Sequence, residues 1–148
     1  MTLRRREGWE HRLADFVVSA RSTPFQWGEF DCCLMPCDAV VEIVGVDPAK
    51  ELRGRYTTMR GARLALRRFA GGGLIEAVEK IAADLGAPEV APSFARRGDI
   101  CLITNPALVE TGLDAMLAIC LGRVVGIAQV DGLRLLPLAS SARAWRVG

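Results

Sequence analysis

Between Trp9 and about Ala20 the apolar residues Trp9, Leu13, Phe16, Val17 and Ala20 recur at helical spacing and share one face, which predicts an amphipathic helix. At about 100° per residue, His11 lies about 200° from both Trp9 and Leu13, on the opposite, solvated face. After a loop carrying Pro24 and Gly28, Asp31 can cap a second helix that runs to about Val44 and stops at Gly45, with Pro48 beyond it. Pro36 lacks an amide hydrogen and disfavours helical geometry at Met35, so regular helix is placed from Pro36 onward. Thr57 or Thr58 opens a third helix with Met59, Ala62, Leu66 and Phe69 facing inward and Arg60, Arg63, Arg67 and Arg68 facing water. Gly71, Gly72 and Gly73 break the chain before a fourth helix striped by Ile75, Val78, Ala82 and Leu85.

Past Pro88 and Pro92 the pattern changes to short apolar strands at Asp99–Thr104, Met116–Leu121, Val124–Val130, Leu133–Leu138 and Ala144–Val147. Asp131-Gly132 predicts a tight hairpin between two of them, and Leu121-Gly122-Arg123 a second turn. Helices followed by a run of antiparallel strands predict an α+β domain.

With 148 residues and 51% hydrophobic composition, the chain is sized for one core and excluded from the disordered and fibrous classes. The net charge of +2 is too small to imply a nucleic-acid partner. Arg4, Arg5 and Arg6 form a local basic tip, so residues 1–8 are read as a solvated arm and residues 9–148 as a single domain. No apolar run approaches the roughly 18 residues that span a bilayer, and the basic start leads into WEHRLADF, not an export signal.

Five cysteines against one histidine narrow the chemistry. Histidine-dependent mechanisms would rest on His11, which the first helix turns away from the core. Cysteines crowded at Cys32, Cys33 and Cys37 within an odd total are not the spacing of a secreted disulfide framework, and favour folding in a reducing cytosol. Cys32 and Cys33 stand at a helix start, where the dipole and unpaired amides stabilise thiolate. A cysteine there, on a helix packed against a later antiparallel sheet, is the arrangement of a papain-like nucleophile whose base arrives on a strand. A metal or iron–sulfur site using Cys32, Cys33, Cys37, Cys101 and Cys120 is disfavoured, since C-C-x-x-x-C matches neither C-x-x-C nor the ferredoxin spacings. The plainer alternative is buried thiols retained for packing. Asp31, Asp38 and Asp99 invite comparison with a glycosidase carboxylate pair, but Asp31 reads as a helix cap and Asp99 as a turn-closing acceptor. No cofactor is implied.

The segments FQWGEFDCCLMPCDAV (Phe25–Val40), GVDPAKELRGRY (Gly45–Tyr56), ARRGDICL (Ala95–Leu102), LAICLG (Leu117–Gly122) and RAWRV (Arg143–Val147) are similar to small phage tail proteins related to NlpC-type murein peptidases. The resemblance extends from Trp9 to Val147 and implies a papain-like fold, in which an Asp-Cys pair opens the catalytic helix, Arg-Gly-Asp enters the first strand, and a His-Val-Gly-type strand carries the base. Asp31-Cys32 matches the nucleophile motif, making Cys32 the nucleophile-equivalent, and Arg97-Gly98-Asp99 matches the strand entry; Cys33 has no assigned role. Aligned on Leu121-Gly122, the histidine strand puts Met116 at the base position, and a thioether accepts no proton at neutral pH. Gln129 falls where a third, orienting polar residue is expected. The resemblance thus implies a virion protein of a phage tail tip or baseplate, made and folded in the bacterial cytoplasm and docking to hub and neighbouring tail proteins. Its contact surfaces would be the third-helix arginines and the basic tip. The other function it implies is an active murein endopeptidase that uses Cys32 during genome entry.

Overall fold

The computed structural model describes residues 3–148. Four helices, α1 (Trp9–Ala20), α2 (Leu34–Val44), α3 (Met59–Ala70) and α4 (Leu74–Leu85), come first. Six strands follow: β1 (Glu89–Val90), β2 (Ile100–Ile103), β3 (Met116–Cys120), β4 (Val124–Gln129), β5 (Gly132–Pro137) and β6 (Arg143–Trp145). They form one antiparallel sheet in the order β1-β6-β2-β3-β4-β5, so the chain is the α+β domain that its patterning predicts.

The core explains the two sequence patterns. β2 and β3 are buried along their whole length, which is why ICLI and MLAIC are continuous apolar runs without alternation. α2 is buried on nearly every side and packs against α1, β3 and β4, so its apolar residues are not confined to one stripe. α3 is the opposite case, burying only Ala62 and Leu66 and leaving its arginines in water.

Three local features differ from the pattern-based expectation. α2 begins at Leu34, two residues ahead of Pro36, because Pro36 occupies the first turn, where its missing amide hydrogen removes no helical bond. β1 was not expected; two residues paired with β6 are too short to leave a periodic signature. The β4–β5 turn consists of Val130 and Asp131, with Gly132 already paired to Gln129, one residue earlier than the Asp131-Gly132 signal places it.

The basic segment is not a solvated arm. Met1 and Thr2 lie outside the described residues, but Arg5 donates from Nε to the Val147 carbonyl (2.8 Å), from Nη1 to the Arg97 carbonyl (2.6 Å) and from Nη2 to Asp99 (3.0 Å). Its guanidinium also lies 4.3 Å from the centre of the Trp9 ring, and the Arg6 amide donates to the Ile43 carbonyl at 2.8 Å. A planar five-donor group can close several buried acceptors at once, so a basic tripeptide that resembles a tail serves as a staple. Only Arg4 of the three arginines is exposed.

Asp38, on α2, pairs with Arg53, which also binds Asp47 at 2.7 Å and so ties the following loop to the helix. Burial outweighs Arg53 and raises the Asp38 carboxyl to about 6. A carboxyl raised in the folded state binds its proton more tightly there than in the unfolded chain, so its contribution to stability is fullest below the unfolded value. It is lost as pH rises from about 4 to about 6, at a cost of order 2 kcal/mol. Urea unfolding of wild type and Asp38→Asn should therefore show a stability difference that moves in favour of Asn over that window; a pH-independent difference would contradict the assignment.

Candidate functional site

The Asp31-Cys32 corner is built from a tight loop that needs a glycine. Gly28 has φ 85°, and a Cβ there would sit 2.0 Å from the Tyr56 carbonyl oxygen, so no other residue fits. This brings the Gly28 amide 3.0 Å from Asp31 Oδ2, which also accepts the Tyr56 hydroxyl at 2.7 Å. Asp31 Oδ1 accepts the amides of Cys33 and Leu34 at 3.0 and 2.9 Å, capping α2. Asp31 is fully buried with four donors, and it keeps Tyr56 protonated, the phenol being pushed well above its ordinary range by burial and by this carboxylate.

Cys32 follows at the helix start, but the thiolate-stabilising setting expected of that position is absent. The residue is 1% exposed, and burial together with the neighbouring Asp31 carboxylate drives its thiol well above the ordinary range. The helix-end field is outweighed because desolvation of a sulfur anion costs more than a partial dipole charge returns. The Thr111 side chain lies beside the thiol and acts in the opposite sense, favouring the thiolate, while Asp114 adds a further negative charge nearby.

The fold does bring the Cys32 corner to β3. The Cys32 carbonyl accepts the Leu117 amide at 2.9 Å, directly beside Met116, while the β3–β4 ladder is confined to Ile119–Gly126 and Cys120–Val125. The start of α2 thus takes a β3 hydrogen bond at the end where the two strands are unpaired. Met116, at the position implied for the base, is 1% exposed. Gln129 ends β4 and lines a shallow surface depression of about 240 Å³ with Phe25, Trp27, Glu110, Thr111, Ala128 and Val130. Thr111 lines this depression and also neighbours the Cys32 thiol.

The other candidates lie elsewhere. His11 is exposed on α1. Asp99, entering β2, is fully buried and closes its turn by accepting the Arg96 amide at 2.8 Å, besides binding Arg5. The remaining thiols stand in two pairs, Cys33 with Cys37 along α2 and Cys101 with Cys120 across β2 and β3. The neighbouring Cys101 lowers the Cys120 thiol from its ordinary value, and Cys120 Sγ donates to the Gly122 carbonyl at 3.5 Å. All five are buried and free, and among the described residues no three His, Cys, Asp or Glu side chains are placed to hold a metal.

Sequence reasoning missed Thr111, Asp114 and Tyr56 as neighbours of the corner. Thr111 and Asp114 lie in the irregular connection between β2 and β3, where no periodicity marks which side chains turn inward. Among the described residues no helix is long and apolar enough to cross a membrane. No match is found among curated proteins. Residues 4–147 match the model of a domain family of unknown function, DUF6950, and the chain belongs to that family.

Proposed function

We propose that this domain is a structural component of a phage tail tip or baseplate, a docking body whose cysteine-peptidase corner has lost its chemistry. The phage setting comes from the sequence resemblance to NlpC-related tail proteins. The observation that supports the loss of chemistry is the burial of Cys32, 1% exposed with its thiol pushed above the ordinary range, together with that of Met116 at the position implied for the base. A cysteine hydrolase needs an accessible thiolate and a base placed to take its proton, whereas Cys32 is buried and Met116 stands where the resemblance implies the base.

The test is direct. Purified protein should leave peptidoglycan uncleared, Cys32→Ser should change nothing in that assay, and Met116→His should not create activity, because the Cys32 thiol stays closed to substrate. In the folded protein at pH 7, iodoacetamide should label Cys32 no faster than a free thiol in solution. Clearing that is abolished by Cys32→Ser with the fold intact would replace this reading with that of an active murein endopeptidase.

A further inference from the structure

From Leu52 to Ile75 the chain carries six arginines and no acidic residue; with those six set aside, the net charge of +2 becomes −4. Arg53 is neutralised by Asp38 and Asp47, and Arg63 donates to the Gly112 carbonyl. Among the described residues Arg55, Arg60, Arg63, Arg67 and Arg68 have no carboxylate partner. This concentration of cations without carboxylate partners lies on and beside α3, a helix that buries only Ala62 and Leu66.

The arrangement on α3 is specific. Residues Arg60, Arg63, Leu64, Arg67 and Arg68 follow the i, i+3, i+4, i+7, i+8 spacing of a single helix face, and all five are exposed. The leucine at the centre is 50% exposed, with arginines one turn away on both sides. The surface dips on both flanks. A depression of about 430 Å³ includes Arg55, Leu64, Arg68 and Phe69 with Glu51 at its wall, and one of about 550 Å³ includes Arg63, Arg67 and Gly71 to Gly73. Asp114, also in the second, is committed to the Leu74 amide at 2.9 Å. A phosphate chain would use the arginines but gain nothing from the leucine. A helix that presents an apolar side chain ringed by carboxylates uses both, and its neighbours would fill the two flanking dips.

We propose that this face of α3 docks an acidic amphipathic helix of a partner protein, its apolar residue over Leu64 and its carboxylates against Arg60, Arg63, Arg67 and Arg68. The inference rests on the reading of the domain as a docking body and names the chemistry of what is docked.

The probe is a synthetic helical peptide with leucines flanked by glutamates at i±3 and i±4, titrated by fluorescence anisotropy into the full chain at about 150 mM salt. The comparators are a scrambled peptide of the same composition and a short DNA duplex. The amphipathic peptide should bind at least about tenfold tighter than either. Arg60→Glu with Arg67→Glu, both exposed and without carboxylate partners, should abolish that advantage with the circular dichroism spectrum unchanged, and Leu64→Ala should weaken binding several-fold. Equal binding of the scrambled peptide, tighter binding of the duplex, no binding, or indifference to the charge reversal would each overturn the proposal. The peptidoglycan and alkylation assays do not involve α3, so their outcome separates failure of this inference from failure of the docking-body reading.

Discussion

Asp31→Ala is expected to lower stability by about 4 kcal/mol, the largest loss from any single change at the cysteine corner. The carboxylate is fully buried and accepts the Gly28, Cys33 and Leu34 amides and the Tyr56 hydroxyl. Alanine strands all four donors in a site closed to water, and each stranded buried donor costs roughly 1–3 kcal/mol, partly relieved by local relaxation. For a domain of this size that is a fall of about 10–15 °C in Tm. Cys32→Ala removes one sulfur from the same corner and should cost only about 1–2 kcal/mol, since Cys behaves there as a small apolar side chain. Thermal unfolding followed by circular dichroism checks the ranking. If Asp31→Ala costs no more than Cys32→Ala, the corner is not organised by the carboxylate.

That ranking also shows how much of the corner was legible. Asp31 was readable as a cap from its place before an apolar run, and the helix start and the strand bearing Met116 followed from periodicity and turn residues. Burial was not readable. A cysteine at a helix start has two opposed influences on its thiol, and which wins depends on what packs around it; two of its neighbours, Thr111 and Asp114, come from a connection without periodic signal. The fold class was legible because helical and strand periods are properly separated along this chain, helices first. The N-terminal segment misled for a related reason. Three consecutive arginines have the composition of a solvated tip, and only tertiary structure reveals the carbonyls of Arg97 and Val147 and the Asp99 carboxylate waiting for Arg5.

Asp99→Ala is the second large effect, about 3–5 kcal/mol, and it should act at a distance from β2. Asp99 Oδ1 accepts Arg5 Nη2 at 3.0 Å and the Val147 amide at 3.1 Å, Oδ2 accepts the Arg96 amide at 2.8 Å, and Arg146 Nε lies 3.5 Å away. One fully buried carboxylate therefore joins the N-terminal segment, the turn into β2 and the residues after β6. Removing it leaves two largely sequestered guanidiniums facing each other with no counter-charge, the costly way to break a buried ion pair. Arg5→Ala is milder, about 1–3 kcal/mol, because Asp99 keeps Arg146 and two amides. In the double variant the second substitution should add much less than it costs alone, a coupling of about 1–2 kcal/mol. Hydrogen exchange reads the geometry independently of total stability: the Arg6 amide, which donates to Ile43, and the Val147 amide should both lose protection in Asp99→Ala. Trypsin should then cut after Arg4, Arg5 or Arg6 in the folded variant while sparing wild type. Additive single and double variants, or an Arg6 amide unaffected by the loss of Asp99, would show that the N-terminal segment is held by the Ile43 bond and the Trp9 contact instead.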